Sequence, residues 1–230
     1  VGVYDDFYHA DFKLKFLLQI IVAKIIIDQG YVISNYHGFF GLYEVPWLLA
    51  QLSTVFVFLV IINAINFIDG IDGLAITEVI KTIILIEFFS AKQTALTTLS
   101  ILLVLSLLPL YYFNYKKKRK VFLGDGGSLL LGTIVSVYVF NIPGNEYEFN
   151  YGFEINKALF AVLVILYPLL DLLRVFILRV KETYFTSIRY GLFIMVISGT
   201  IIYSSADIIP TFFSNSSEVI DYGSRYLKIS

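Results

Sequence analysis

The stretch VFVFLVIINAINFIDGIDGLA, residues 55–75, indicates both the fold class and the position of a functional site. It opens with a wholly apolar run, and its second half carries Asn63, Asn66, Asp69 and Asp72 at every third position. On a helix, a three-residue period keeps successive side chains roughly on one side. An aspartate near the membrane interior costs about 2.5–3.5 kcal/mol on insertion scales, so such residues face a cavity or a partner. The stretch therefore predicts a membrane helix that ends in a polar pocket.

The composition of the whole chain agrees with a membrane location. Of 230 residues, 58% are hydrophobic and 15% are charged, whereas soluble domains carry about a quarter of charged residues. The absence of cysteine excludes disulfides and thiolate metal sites. The net charge of −1 points to no class of partner, and no nucleic-acid partner is predicted.

Apolar runs along the chain predict an all-α, polytopic integral membrane bundle of about seven transmembrane helices. Each run has the length of about 20 residues that crosses the hydrocarbon core. The spans must be helical because unpaired backbone groups are too costly in lipid. A transmembrane domain is predicted over residues 1–210 and a polar tail over 211–230. The predicted spans are 13–33, 46–66, 74–91, 94–114, 123–142, 157–178 and 189–209.

Basic residues in the loops predict the orientation of this bundle. The loops at 116–120 and 179–189 are rich in Lys and Arg and lie two spans apart, so both are placed on the cytoplasmic side. Three polar segments then converge on that face: YDDF, with Asp5 and Asp6, the segment NAINFIDGIDG, and FLGDGGS at 122–128. The functional site is expected where these segments meet.

FLGDGGS places Asp125 among glycines immediately before a helix. A helix N-terminus attracts phosphate, but a carboxylate at the same point repels it unless a divalent cation bridges the two. Asp125 therefore suggests Mg²⁺, which typically uses one or two carboxylates with waters and substrate phosphates. The alternative is simple helix capping, by Asp125 or Ser128 here and by Asp72 in the earlier segment.

The two aspartates near the start of the chain are sequence neighbours. Side chains of adjacent residues on a helix diverge by about 100°, so two different roles suit Asp5 and Asp6 better than one shared ion. The alternative for this pair is a solvated loop. Taken together, the carboxylates, a metal and a glycine-rich turn suit phosphoryl or pyrophosphoryl chemistry at the cytoplasmic surface.

Three motifs, in this order, resemble the polyprenyl-phosphate N-acetylhexosamine-1-phosphate transferases: GVYDDFYHADFKLKFLLQ, NAINFIDGIDGLA and FLGDGGSLLLG. LYPLLDLLRVFILR at 166–179 resembles the late helix of that family. The resemblance implies transfer of a sugar-1-phosphate from a UDP-N-acetylhexosamine such as UDP-GlcNAc to undecaprenyl phosphate, with release of UMP. It also implies Mg²⁺ as cofactor, a bacterial inner membrane location and a role in cell-wall or lipopolysaccharide synthesis.

The resemblance assigns roles to individual residues. Asp125 matches the Mg²⁺-binding aspartate, and Asp5 matches the carboxylate that engages or deprotonates the polyprenyl phosphate, with Asp6 in support. Lys15 matches a lysine that faces phosphate. Gly70, Ile71 and Asp72 match the turn that holds the uracil, on which Phe122 is expected to stack. Further matches to the pocket lining are Asn63, Asn66 and Asp69.

Two departures from the family keep other hypotheses open. The chain starts at the aspartate pair, so it is expected to lack the first helices of the family. RVKETYFTSIRYGLF, residues 179–193, stands where the family has a histidine-rich loop and contains no histidine. An inactive relative that acts as a scaffold is therefore an alternative, as is a cation-coupled transporter with intramembrane aspartates. The UDP-sugar and the glycan pathway stay open, and the family permits a homodimer.

Overall fold

The computed structural model describes residues 11–39, 41–94, 96–116, 121–144, 147–208, 211 and 217–229. The chain divides into two compact units, Val1–Arg174 and Val175–Ser230. The described candidate site residues all belong to the first unit. The predicted division at residue 210, between a transmembrane domain and a polar tail, stays a prediction.

The first unit is a helical bundle with one short hairpin. Its elements are α1 (Phe12–Asp28), β1 (Asn35–Phe39), β2 (Leu42–Glu44), α2 (Trp47–Ile68), α3 (Leu74–Phe89), α4 (Thr97–Asn114), α5 (Gly124–Asn141), α6 (Lys157–Val164) and the start of α7 (Leu166–Ser204). In the second unit, α7 continues and α8 (Ser217–Ile229) follows. An ion pair from Lys228 to Asp207 at 2.7 Å joins α8 to the segment after α7.

Two of the described helices, α2 and α4, are long and apolar enough to cross a membrane. A third span is added if α6 and α7, which are bent by 65° at the break between them, count as one. The expectation of about seven spans is not confirmed. Helices α1 and α3 contain 17 and 16 residues, and a helix of that length covers only about 25 Å, whereas the hydrocarbon core measures about 30 Å. The apolar helices nevertheless fit a membrane protein.

The centre of the bundle is the contact between α2 and α5. Ile61, Ile65 and Val135 are almost fully buried there. The close approach of the two helices requires glycine at position 132, because a Cβ atom there would lie 2.9 Å from the Cα atom of Ile62. A small residue therefore lets two backbones meet, as is common between membrane helices. This contact brings the end of α2 beside the start of α5.

The late part of the chain differs from the predicted spans at two points. The predicted span 157–178 is interrupted at Ile165, between α6 and α7. Pro168 explains the interruption, because proline lacks the N–H that continues a helix and its ring clashes with the preceding turn. The predicted loop at 179–189 is helical within α7. Its residues include neither proline nor glycine, so nothing local ends the helix there.

The end of the bundle opposite the candidate site is closed by the hairpin and by the segment after α5. β1 and β2 pair antiparallel, with Asn35 opposite Glu44. The buried Tyr147 hydroxyl donates a hydrogen bond of 2.8 Å to the Ile86 carbonyl. Burial raises the pKa of Tyr147, and the nearby Glu87 carboxylate raises it further. These contacts hold the helix ends together on the side of the bundle away from the candidate site.

Candidate active site

Lys15 and Asp125 form an ion pair that joins two helices. Lys15 lies in the first turn of α1 and Asp125 in the first turn of α5. The Lys15 Nζ atom lies 2.5 Å from Oδ2 of Asp125, and the side chains are 21% and 35% exposed. The pair is thus partly shielded but reachable by a ligand. A carboxylate at the start of α5 is also favoured by the positive end of the helix dipole.

Asn66 connects the end of α2 to the same carboxylate. Its Nδ2 atom donates to Oδ1 of Asp125 at 3.2 Å and to the Ser128 hydroxyl at 2.7 Å. One helical turn earlier, Asn63 donates to Oε1 of Gln19 at 3.1 Å. The predicted period of three therefore places both amides towards α1 and α5. Lys15, Asn66 and Asp125 form one cluster built from three helices.

The N-cap positions of α5 and α3 are not occupied by the aspartates. The N-cap of α5 is Leu123, without a side-chain cap, so the Asp125 carboxylate serves Lys15 and Asn66 instead. The N-cap of α3 is Gly73 rather than Asp72, and it also lacks a side-chain cap. Gly73 adopts φ +71°, a left-handed conformation that favours glycine. Of the two aspartates, Asp125 has described partners on other helices, Lys15 on α1 and Asn66 on α2.

Asn114 is a site residue that the sequence reasoning missed. Its Oδ1 atom accepts a hydrogen bond of 2.5 Å from the Gly73 N–H, and its Nδ2 atom donates to the Val121 carbonyl at 2.9 Å. The side chain is buried, with 4% exposed. Asn114 thus ties the turn at Gly70–Gly73 to the chain that enters α5. The only signal in the sequence is an amide that ends the apolar run of α4.

The remaining predicted residues that the structure describes lie near Asn66 or Asp125 along the chain. Asp69 is the half-buried C-cap of α2, and Asp72 is exposed in the following turn. Phe122 is 67% exposed, three residues before Asp125. Asp5 and Asp6 lie outside the described residues, so their roles stay predictions.

A groove runs between the predicted nucleotide turn and the start of α7. It has a volume of about 470 Å³ and is lined by Ile71, Tyr167, Leu170, Asp171 and Arg174. The Asp171 carboxylate, 13% exposed, accepts from Nη2 of Arg174 at 2.7 Å and from Nε at 2.9 Å. Both contacts are to the same carboxylate oxygen, Oδ1, and the guanidinium, whose side chain is 63% exposed, has further N–H donors that a ligand could reach.

A second, mainly apolar groove starts beside the ion pair and runs between α1, α2 and α5. Its volume is about 200 Å³. Gly126, next to Asp125, and Gln19 lie among its lining residues, and Thr133 lies two helical turns further along α5. Its other lining residues are Leu18, Val22, Ile62, Leu129 and Leu130. The groove therefore leads from the neighbourhood of the ion pair along a mainly apolar surface.

The donor set around Asp125 fits a metal ion only with help from a ligand. Among the described residues there is no group of three or more His, Cys, Asp or Glu side chains that could hold a metal ion. Asp125 and the Ser128 hydroxyl offer oxygen donors, and Mg²⁺ commonly takes one or two carboxylates and completes its shell with water and substrate phosphate. The residues therefore fit Mg²⁺ that binds together with a diphosphate.

A comparison with protein-family models gives a match to glycosyl transferase family 4 over residues 1–142. The match covers more than half of the chain and includes α1–α5. The chain belongs to this family. The family is that of the polyprenyl-phosphate hexosamine-1-phosphate transferases, so the predicted resemblance is confirmed. Family membership supports a glycosyl-1-phosphate transferase kind of activity. Neither the search of curated proteins nor that of solved structures gave a match.

Proposed function

We propose that this family member transfers N-acetylhexosamine-1-phosphate from a UDP-sugar to a membrane polyprenyl phosphate and releases UMP. The observation that carries the proposal is the cluster of Lys15, Asn66 and Asp125, in which a cation, an amide and a carboxylate from three helices meet at one point. Diphosphate chemistry needs this combination, because its catalysis depends on positioning and charge neutralisation.

In the proposed reaction, a phosphate oxygen of the lipid attacks the phosphorus that carries the sugar. The new P–O bond forms as the bond from that phosphorus to the bridging oxygen breaks, and the bridging oxygen leaves with UMP. Lys15 moves its ammonium group from Asp125 to a phosphate oxygen, while Asn66 keeps the carboxylate oriented. Mg²⁺ held by Asp125, with the Ser128 hydroxyl nearby, would offset diphosphate charge and make UMP a better leaving group.

Substrate positions follow from the two grooves. The apolar groove beside Gly126 suits the first isoprene units of a lipid whose phosphate lies at Lys15. The groove beside Ile71 suits the nucleotide side of the donor, with Phe122 available to stack on the base. Asp5 is proposed to engage the lipid phosphate. Because that phosphate is already largely anionic at neutral pH, it needs orientation more than deprotonation.

UMP release by the purified chain tests the proposal. The protein is reconstituted in nanodiscs with undecaprenyl phosphate and assayed with a panel of UDP-N-acetylhexosamines, with and without Mg²⁺. We expect UMP release that requires both lipid and Mg²⁺, and an Asp125→Asn rate lower by about 100-fold or more. Asp28→Asn is the matched control, since it removes an exposed α1 carboxylate that pairs with Lys24.

Three results would contradict the proposal in different ways. An unchanged rate of UMP release in Asp125→Asn would show that the reaction does not depend on the Asp125 carboxylate. UDP-sugar binding without any UMP release would favour the alternative of an inactive relative that has kept the fold. A failure to bind either substrate, in protein whose circular dichroism shows a folded helical bundle, would contradict the pocket itself.

A further inference from the structure

The break between α6 and α7 leaves a backbone carbonyl that the helix cannot use. In a continuous helix, the Val164 carbonyl would accept from the N–H of the residue four positions later. That residue is Pro168, which has no N–H. Val164 is 1% exposed, so water does not replace the lost donor, and an unpaired buried carbonyl is costly.

Thr82 supplies the missing donor from another helix. Its hydroxyl donates to the Val164 carbonyl at 3.0 Å, and the side chain is 1% exposed. Most helical Thr hydroxyls return to a carbonyl of their own helix, as Thr133 does with the Leu129 carbonyl at 2.8 Å. Thr82 therefore joins α3 to the break in the late helix.

This hydrogen bond connects the two walls of the groove beside the nucleotide turn. One wall is Ile71, in the turn that leads directly into α3. The other wall consists of Tyr167, Leu170, Asp171 and Arg174, all within the first nine residues of α7. Thr82 lies two turns into α3, and the carbonyl that it holds lies two residues before α7. The bond therefore links the helix that follows the Ile71 turn to the break from which α7 starts.

We propose that Thr82 is a positioning residue for the donor-binding groove and acts by capping the Val164 carbonyl. It touches no substrate. Without the hydroxyl, the break relaxes, the start of α7 moves relative to the Ile71 turn, and the groove no longer holds the nucleotide side of the donor in one geometry. The inference rests on the proposed function insofar as the groove is assigned to the UDP-sugar.

The enzymatic test compares Thr82→Val, which keeps the shape and removes the hydroxyl, with Thr82→Ser, which keeps the hydroxyl. We expect Thr82→Val to raise the KM for the UDP-sugar about fivefold to tenfold, the size of one lost hydrogen bond, with kcat changed much less. Thr82→Ser should restore the wild-type KM. Ser136→Ala is the control, since the buried Ser136 hydroxyl donates only within α5, to the Gly132 carbonyl.

A second measurement reads the groove geometry without any catalysis. Because the chain contains no cysteine, spin labels on Ile71→Cys and Leu170→Cys report a single distance across the groove. We expect a narrow distance distribution that broadens or shifts when Thr82→Val is added and recovers with Thr82→Ser.

The two measurements separate failure of this inference from failure of the proposed function. If no variant releases UMP but the label distance responds to Thr82→Val, the positioning role holds and the assigned reaction does not. An unchanged distance in Thr82→Val overturns the inference. An equal rise of KM in Thr82→Val and Ser136→Ala also overturns it, because the effect would then be a general loosening of the bundle.

Discussion

Gly132→Ala tests whether the contact of α2 with α5 is as close as the site requires. The added methyl carbon would lie 2.9 Å from the Ile62 Cα atom and 3.3 Å from its carbonyl oxygen. A backbone atom cannot rotate away, so the helices must separate. Overpacking of this kind costs typically 1–3 kcal/mol, against about 0.5–1 kcal/mol gained from replacing a helical glycine with alanine. We expect a net destabilisation of about 1 kcal/mol, the difference between the middles of these two ranges.

The measurement is thermal unfolding in detergent, followed by circular dichroism. A loss of this size corresponds to an apparent Tm lower by roughly 2–4 °C for a chain of 150–250 residues. Gly191→Ala is the matched control, because a Cβ atom there meets no other atom within 4 Å and Gly191 also lies inside a helix. Its Tm should stay the same or rise. A Gly132→Ala protein as stable as Gly191→Ala would refute the close contact.

Three further substitutions test other parts of the structure. Lys15→Met should lower the rate of UMP release by about 100-fold while leaving the Tm within a few degrees, since the partly exposed pair with Asp125 contributes little to stability. Asn114→Ala should lower stability by about 1–3 kcal/mol and raise the KM for the UDP-sugar, because it leaves the Gly73 N–H unpaired. The raised pKa of Tyr147 means that the folded state holds the phenol proton more tightly than the unfolded state. The contribution of Tyr147 to the free energy of unfolding is therefore complete below pH 10 and decreases above it. Between pH 9 and 11 the wild type should lose more stability than Tyr147→Phe does, as measured by denaturation at each pH.

The apolar runs of the sequence predict the first unit well and the late helix poorly. The runs at 46–66 and 94–114 match α2 and α4 closely, because a helix in a membrane protein is defined by its own apolar length. The break before Pro168 was missed although proline is a local signal for it. The helix through 179–189 was missed because its basic residues were assigned to a loop, whereas long basic side chains also extend from helices to water. The hairpin was missed because its strands are short, five half-buried residues in β1 and three exposed residues in β2.

The candidate site shows a similar division between local and non-local signals. The period of three in the second motif predicts that Asn63 and Asn66 lie roughly on one side, and in the structure the Asn63 amide reaches α1 while the Asn66 amide reaches α5. The pairing of Lys15 with Asp125 joins residues 110 positions apart, and no local pattern specifies such a contact. Asn114 lies at the end of an apolar run with no motif around it. In this site, Asn114, which holds a turn in place, therefore carries a weaker sequence signal than the residues that are expected to bind substrate.

The ion pair at the centre of the site gives a reason why both of its members are needed. In the structure, Lys15 and Asp125 neutralise each other, so the cluster presents little net charge of its own. A donor that brings a diphosphate and a cation changes the best partner of each group: the ammonium prefers a phosphate oxygen and the carboxylate prefers the cation. The pair therefore keeps both groups neutralised and oriented until the ligand arrives, and Asn66 holds Asp125 in place during the exchange. On this reasoning, Lys15→Met and Asp125→Asn each leave the other partner without its counter-charge. The rise in the activation free energy of UMP release should therefore be smaller in the double variant than the sum of the two single rises.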